Sequence, residues 1–143
     1  MSQAVVDRLN AQFGERVLET SDAFGDHEVR VALKDWAELA QFTKDDADLQ
    51  MDHFIDLTAV DYPERESARF DLVLMTRSSV TGARIRLRTH VKDGEEPGTL
   101  SGIWSGANWA EREVWDMFGI RFNGHPDMRR ILLYEEFVGH PLR

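Results

Sequence analysis

The chain has 143 residues, a formal net charge of −9, no cysteine, and no apolar run near the roughly 18 residues that a membrane-spanning helix needs. That length supports one domain with a real core and is short for two, and the missing cysteine excludes disulfides, thiolate-held iron–sulfur clusters and a cysteine nucleophile from this chain. Residues 1–68 hold 6 Lys and Arg against 16 Asp and Glu, and residues 69–143 hold 11 against 10, a distribution ill suited to nucleic acid or to an anionic lipid surface.

The opening MSQAVVDRLNAQFG lacks the basic region and apolar core of a signal peptide, which predicts a chain on the cytoplasmic side of any membrane it serves. Val5, Val6, Leu9 and Phe13 recur at helical spacing, and Gly14 ends that helix. Val17 and Leu18 begin a short strand, Ser21 to Asp26 reads as a loop, and His27 to Leu33 alternates as a half-buried strand. Asp35 to Thr43 predicts a second helix through Trp36, Leu39 and Ala40. Met51 to Tyr62 reads as a strand stopped by Pro63. Phe70 to Thr76 is apolar on both faces and so expected to be central, and Ala83 to Val91 puts Ile85, Leu87, Thr89 and Val91 opposite Arg84, Arg86, Arg88 and His90. A turn over 78–82 joins these two as an antiparallel hairpin. Leu100 to Trp104 suggests a short helix.

The densest chemistry lies in NWAEREVWDMFGIRFNGHPDMRRI, residues 108–131. Asn108 stands three before Glu111, the spacing of a capping box, so a helix is expected to start at Trp109. Ala110, Val114, Met117 and Phe118 form its apolar stripe, and Gly119 ends it. Arg112 and Asp116 sit one turn apart and can pair, and Arg112 also has Glu111, Glu113 and Asp127 as available carboxylates. The cluster reads either as an exposed charged helix followed by a basic turn or as interlocked pairs, Glu and Asp of the helix bonded to Arg of the following segment, that hold a loop against the body or against another protein.

Other sites find little support. His27, His53, His90, His125 and His140 are not spaced as a metal motif. GIWSG is not a nucleophile elbow, and no P-loop or dinucleotide fingerprint occurs. A small hydrolase acting through Glu111, Glu113 and His125 is the rival of another class. Arg84, Arg86 and Arg88 read as solvated sheet surface or as a dock for an acidic partner. Trp104, Trp109 and Trp115 are close enough in sequence to form one aromatic patch, with Trp109 and Trp115 as docking candidates. The order of elements indicates an α+β fold: a two-layer sandwich, mainly antiparallel sheet with helices on one side and an irregular C-terminal extension. Residues 1–100 form the core, and 101–143 form a helix and docking segment packed as part of the same domain.

Glu111, Arg112, Glu113, Asp116, Met117, Phe118, His125, Arg129 and Ile131, together with DLTAVDYPE at 56–64, SGIWSGANW at 101–109 and GHPLR at 139–143, resemble the signature of the C subunit of respiratory NADH:quinone oxidoreductase, complex I, the 30-kilodalton subunit family. The resemblance covers most of the chain from about Gln50 onward. It implies a scaffold without a redox centre, peripheral on the cytoplasmic side of the cell membrane, in a complex that couples NADH oxidation and quinone reduction to proton translocation. NADH, flavin, iron–sulfur clusters and quinone (ubiquinone or menaquinone) would be bound by partner subunits. Those partners are a large hydrogenase-like quinone-site subunit and neighbouring iron–sulfur subunits. An accessory subunit of a related membrane-bound hydrogenase complex is the alternative that the resemblance leaves open. Family members commonly carry a basic extended tail after the segment like GHPLR, which here is followed by no further residue.

Overall fold

The computed structural model describes residues 2–23, 26–133 and 137–143. In chain order the elements are helix α1 (Ser2–Phe13), strands β1 (Val17–Ala23) and β2 (Asp26–Val31), helix α2 (Trp36–Asp45), strands β3 (His53–Asp61), β4 (Phe70–Arg77) and β5 (Arg84–Val91), and helix α3 (Ala107–Phe118). The strands form one sheet in the order β1-β2-β5-β4-β3. Only β2 and β5 pair in parallel among these strands. This is the expected two-layer α+β arrangement.

The period of two in β5 explains its place. Ile85, Leu87, Thr89 and Val91 are buried on the face that the helices cover, while Arg84, Arg86, Arg88 and His90 occupy the opposite face. β4 follows in register, with Phe70, Leu72, Leu74 and Thr76 inward. Leu9 of α1, Trp36 and Leu39 of α2, and Val114 and Phe118 of α3 close the same core. Each large apolar side chain removed from water there contributes about 1.5–3 kcal/mol. A bulge between Phe54 and Asp56 adds one residue to β3 and leaves Ile55 44% exposed.

Several expectations need correction. Ser21 to Asp26 is not a loop throughout: β1 runs to Ala23 and β2 begins at Asp26, and residues 24–25 lie outside the described residues. The strand over Phe70–Arg77, β4, is interior as expected, flanked by β5 and the edge strand β3 and buried on both faces, while the midpoint of the order is β5, because β2 adds on its far side. Leu100 to Trp104 is a turn closed by the Ile103 and Trp104 amides on the Leu100 carbonyl, and it makes no helix. That turn also removes the need for the Asn108 cap. The chain enters α3 already wound, at Ala107, and the Ala107 and Asn108 amides donate to the carbonyls of Trp104 and Ser105. Gly119 ends the helix at φ +79°, as expected.

Candidate functional site

The charged residues of α3 each hold an irregular stretch of chain. Glu111 lies on the same stripe as Ala107, Val114 and Phe118, one and two turns apart, and that spacing carries it into the interior, where it is 0% exposed. Its Oε1 accepts from the Thr99 hydroxyl at 2.5 Å and its Oε2 from the Leu100 amide at 2.7 Å. Burial pushes the Glu111 carboxyl from an ordinary 4.5 up to about 7, against the opposing pull of those two donors. Nothing about it is a capping box. The segment it holds is tied to the next by Thr99 donating to Asn123 and Asn123 donating to Pro97 through their backbones.

His125 lies beside it, its side chain fully enclosed and its Nε2 3.9 Å from Glu111 Oε1. Its Nδ1 accepts from the Asp127 amide at 2.9 Å. The proton therefore sits on Nε2, which donates to the Asn108 carbonyl at 3.1 Å. Glu113 is exposed on another side of the helix. The trio Glu111, Glu113 and His125 does not converge on any common accessible point.

Asp116 is the second tie and is also 0% exposed. Its Oδ2 accepts from three successive amides, Ile131 at 3.1 Å, Leu132 at 2.7 Å and Leu133 at 2.9 Å. Its Oδ1 accepts from the Arg130 guanidinium at 2.7 Å. Burial pushes this carboxyl upward, but the Leu133, Leu132, Arg130 and Ile131 donors together outweigh it and hold Asp116 below the ordinary carboxylate range. The anticipated pair with Arg112 does not form. Arg112 instead donates to the carbonyls of Arg129 at 3.0 Å and Arg130 at 3.2 Å, with its guanidinium 5.2 Å from the Trp109 ring. Asp127 is likewise taken by Arg129, through two bonds of 2.7 Å.

The last carbonyls of α3 are also used. Asp116 O accepts from His140 Nδ1, Met117 O from the Leu142 amide, and Phe118 O from Arg143 Nε. Met117 packs on the core, Phe118 meets the Phe70 ring edge-on, and Ile131 is half-buried beside the Asp116 carboxylate. The three tryptophans do not make one patch. Trp104 is buried, donating to the Met51 carbonyl; Trp115 lies against His140 under Arg121; and Trp109 points outward, 62% exposed. Of the three sheet arginines, Arg88 is engaged internally by Glu28 and the buried Asp71, Arg86 has a long 3.5 Å pair with Asp26, and Arg84 is exposed.

Sequence reasoning offered the arginines of the following segment as partners without singling out Arg130 for Asp116, and it missed Thr99 and the burial of Glu111. The signal for the last was present, since Glu111 interrupts an apolar stripe. Among the described residues no three His, Asp or Glu gather as a metal site, and no helix is long and apolar enough to cross a membrane.

Residues 29–143 match the family model described as respiratory-chain NADH dehydrogenase, 30 Kd subunit. The chain belongs to this family. The C subunit of the NADH-quinone oxidoreductase of Ruegeria pomeroyi is 42% identical over 94% of the chain and 67% of its own length, and that of Geobacter sulfurreducens 38% identical over 99% and 86%. A Bdellovibrio bacteriovorus protein named as the C/D subunit of the same enzyme is 43% identical over 94% of the chain, which spans 24% of that longer protein. Among solved structures, the trypsin-resistant fragment (1–134) of Nqo5 superposes with a TM-score of 0.74 at 27% identity, covering 87% of this chain and 97% of the fragment. A chain of a membrane-bound sulfane sulfur reductase, an archaeal respiratory membrane complex, superposes at 0.77 over 94% of this chain and 77% of its own, with 20% identity, a likeness of fold. Membership of the 30-kilodalton family thus places this chain in an NADH-quinone oxidoreductase, a respiratory complex of many subunits associated with a membrane.

Proposed function

We propose that this chain is a non-catalytic scaffold that docks on the large quinone-site subunit, on the cytoplasmic side of the membrane, and so supports electron transfer from NADH to quinone coupled to proton translocation. The observation that carries the reading is how the signature is used. Glu111, Asp116, His125, Arg112 and Arg130 are committed to holding backbone, which leaves no paired acid and base among them open to a substrate. Their product is a fixed outer surface where Trp109 and Leu132 stand 62% and 60% exposed. An exposed tryptophan of this kind is among the residues that dominate protein interfaces. The relatives named as C/D subunits support a large partner, since in them the matched region is one part of a longer chain. NADH, flavin, iron–sulfur clusters and quinone would then reside in partner subunits.

Affinity purification of the tagged chain from native membranes tests this. The expected result is co-purification of respiratory subunits with NADH:quinone activity in the assembly and none in the isolated chain. Turnover by the isolated chain, or purification without respiratory subunits, would overturn it. An assembly with hydrogenase-type activity and no NADH oxidation would replace it with the related membrane-bound complex.

A further inference from the structure

The sheet face that no helix covers is not uniform. At the end where β4 begins and β5 finishes its charges are matched: Arg88 with Glu28 and Asp71, Arg65 with Asp71, and Arg30 with Glu19. At the other end, where β4 turns into β5, they are not. Arg77 and Arg84 are direct cross-strand partners, both exposed, and neither guanidinium has an ion-pair or hydrogen-bond partner among the described residues. Like charges directly opposite each other destabilise a sheet. The acids nearby are occupied elsewhere, Asp52 by the Ser79 amide and hydroxyl, Asp56 by the Leu57 amide and Asp26 by Arg86. In a chain of net charge −9 this is an uncompensated basic spot. Beside it lies a depression of about 110 Å³, bordered by Ile55, Met75, Arg84 and Arg86, with room for one aliphatic side chain. Ile55, which lines it, is 44% exposed.

We infer that this end of the open sheet face docks an acidic segment of a neighbouring subunit, a carboxylate lying across Arg77 and Arg84 and an aliphatic side chain entering the depression next to Ile55. The inference rests on the scaffold reading above and adds a second contact surface on the face opposite the helices. A protein segment fits better than an anionic bilayer, because a membrane plane pressed on this face would also meet Glu19, Glu28 and Asp56. The matching partner charge would remove the cross-strand repulsion that the free chain carries.

Two measurements test it. Arg77→Glu puts an acid opposite Arg84, so the urea midpoint of the isolated chain should rise while the yield of assembled complex falls, by about tenfold. A merely structural role for Arg77 would move both quantities the same way, and that result would overturn the proposal. Because the chain has no cysteine, Ile55→Cys supplies a single thiol for maleimide and for a photo-crosslinker. In the purified complex the thiol should be protected relative to the free chain, and crosslinks should map to a partner peptide rich in Asp or Glu. Equal labelling in both states, or crosslinks confined to lipid or to a second copy, would overturn the docking surface while the scaffold reading stands. Failure of the unsubstituted chain to co-purify with the complex would overturn both.

Discussion

Glu111→Gln isolates the energetics of the buried carboxyl. The folded chain holds Glu111 at about 7 against an ordinary 4.5, so between those values the native state binds the extra proton. Its contribution is therefore fully present below 4.5 and is lost as pH rises through 7. The difference corresponds to about 3 kcal/mol of destabilisation at pH 8 and about 1 kcal/mol at pH 5. Glutamine has the same shape and no charge: its carbonyl can accept the Leu100 amide and its amide can donate to the Thr99 hydroxyl, which still has Ser101 Oγ to bond. The variant should exceed the parent in stability at pH 8 by about 2–3 kcal/mol and lie close to it at pH 5. Urea unfolding at several pH values measures this, and the quantity to follow is the difference between the two chains, since every other carboxylate cancels. Parallel pH curves, or a variant weaker than the parent at pH 8, would refute the reasoning and mean that Glu111 is ionised and well solvated by its donors.

Asp116→Ala should cost about 3–5 kcal/mol, because it leaves three amides and the Arg130 guanidinium without their acceptor; urea unfolding and faster trypsin cleavage at Arg129 and Arg130 would report it. The sign of its pH dependence is opposite to that of Glu111: held low in the fold, Asp116 contributes above its ordinary range, and the contribution is lost on acidification through its depressed folded value. Arg112→Ala should cost about 1–3 kcal/mol through two lost bonds to carbonyls, lowering the yield of complex without changing activity per complex, and Arg112→Lys should restore part of it. A large fall in activity per complex at intact yield would place Arg112 near the chemistry instead. Gly119→Ala should lower the melting temperature, since φ is +79° and the added carbon would lie 2.8 Å from the His140 ring, with about 1–2 kcal/mol from the backbone alone.

The sheet and its inward face were legible because strand alternation is local: Ile85, Leu87, Thr89 and Val91 declare a buried side without reference to any other segment. The partner of β5 on its far side was not, since β2 joins it in parallel across nearly the whole core, and no turn fixes that pairing. At α3 the boundaries were misread for a related reason. A capping box is a pattern of four residues, whereas the actual donors and acceptors come from a preceding turn whose winding leaves no comparable mark. Of the two readings that 108–131 left open, the interlocked one holds, but Asp116 could not be matched to Arg130 rather than Arg112 from spacing alone. An i, i+4 pair is visible in one dimension; a carboxylate that accepts three consecutive amides 15 to 17 residues away is not.

That carboxylate also sets an order in which the chain can be put together. The amides of Ile131, Leu132 and Leu133 belong to no helix or strand, yet the acceptor they share exists in the right place only after α3 has wound. The bonds that gather residues 97–133 and 137–143 onto α3 span no more than 25 residues, whereas the Glu28–Arg88 pair that crosses the sheet spans 60. Loops of the first kind close with a smaller loss of chain entropy and faster. The C-terminal stretch can therefore gain its shape early, around one helix, and its unstructured-looking amides should exchange with solvent as slowly as those in the middle of that helix.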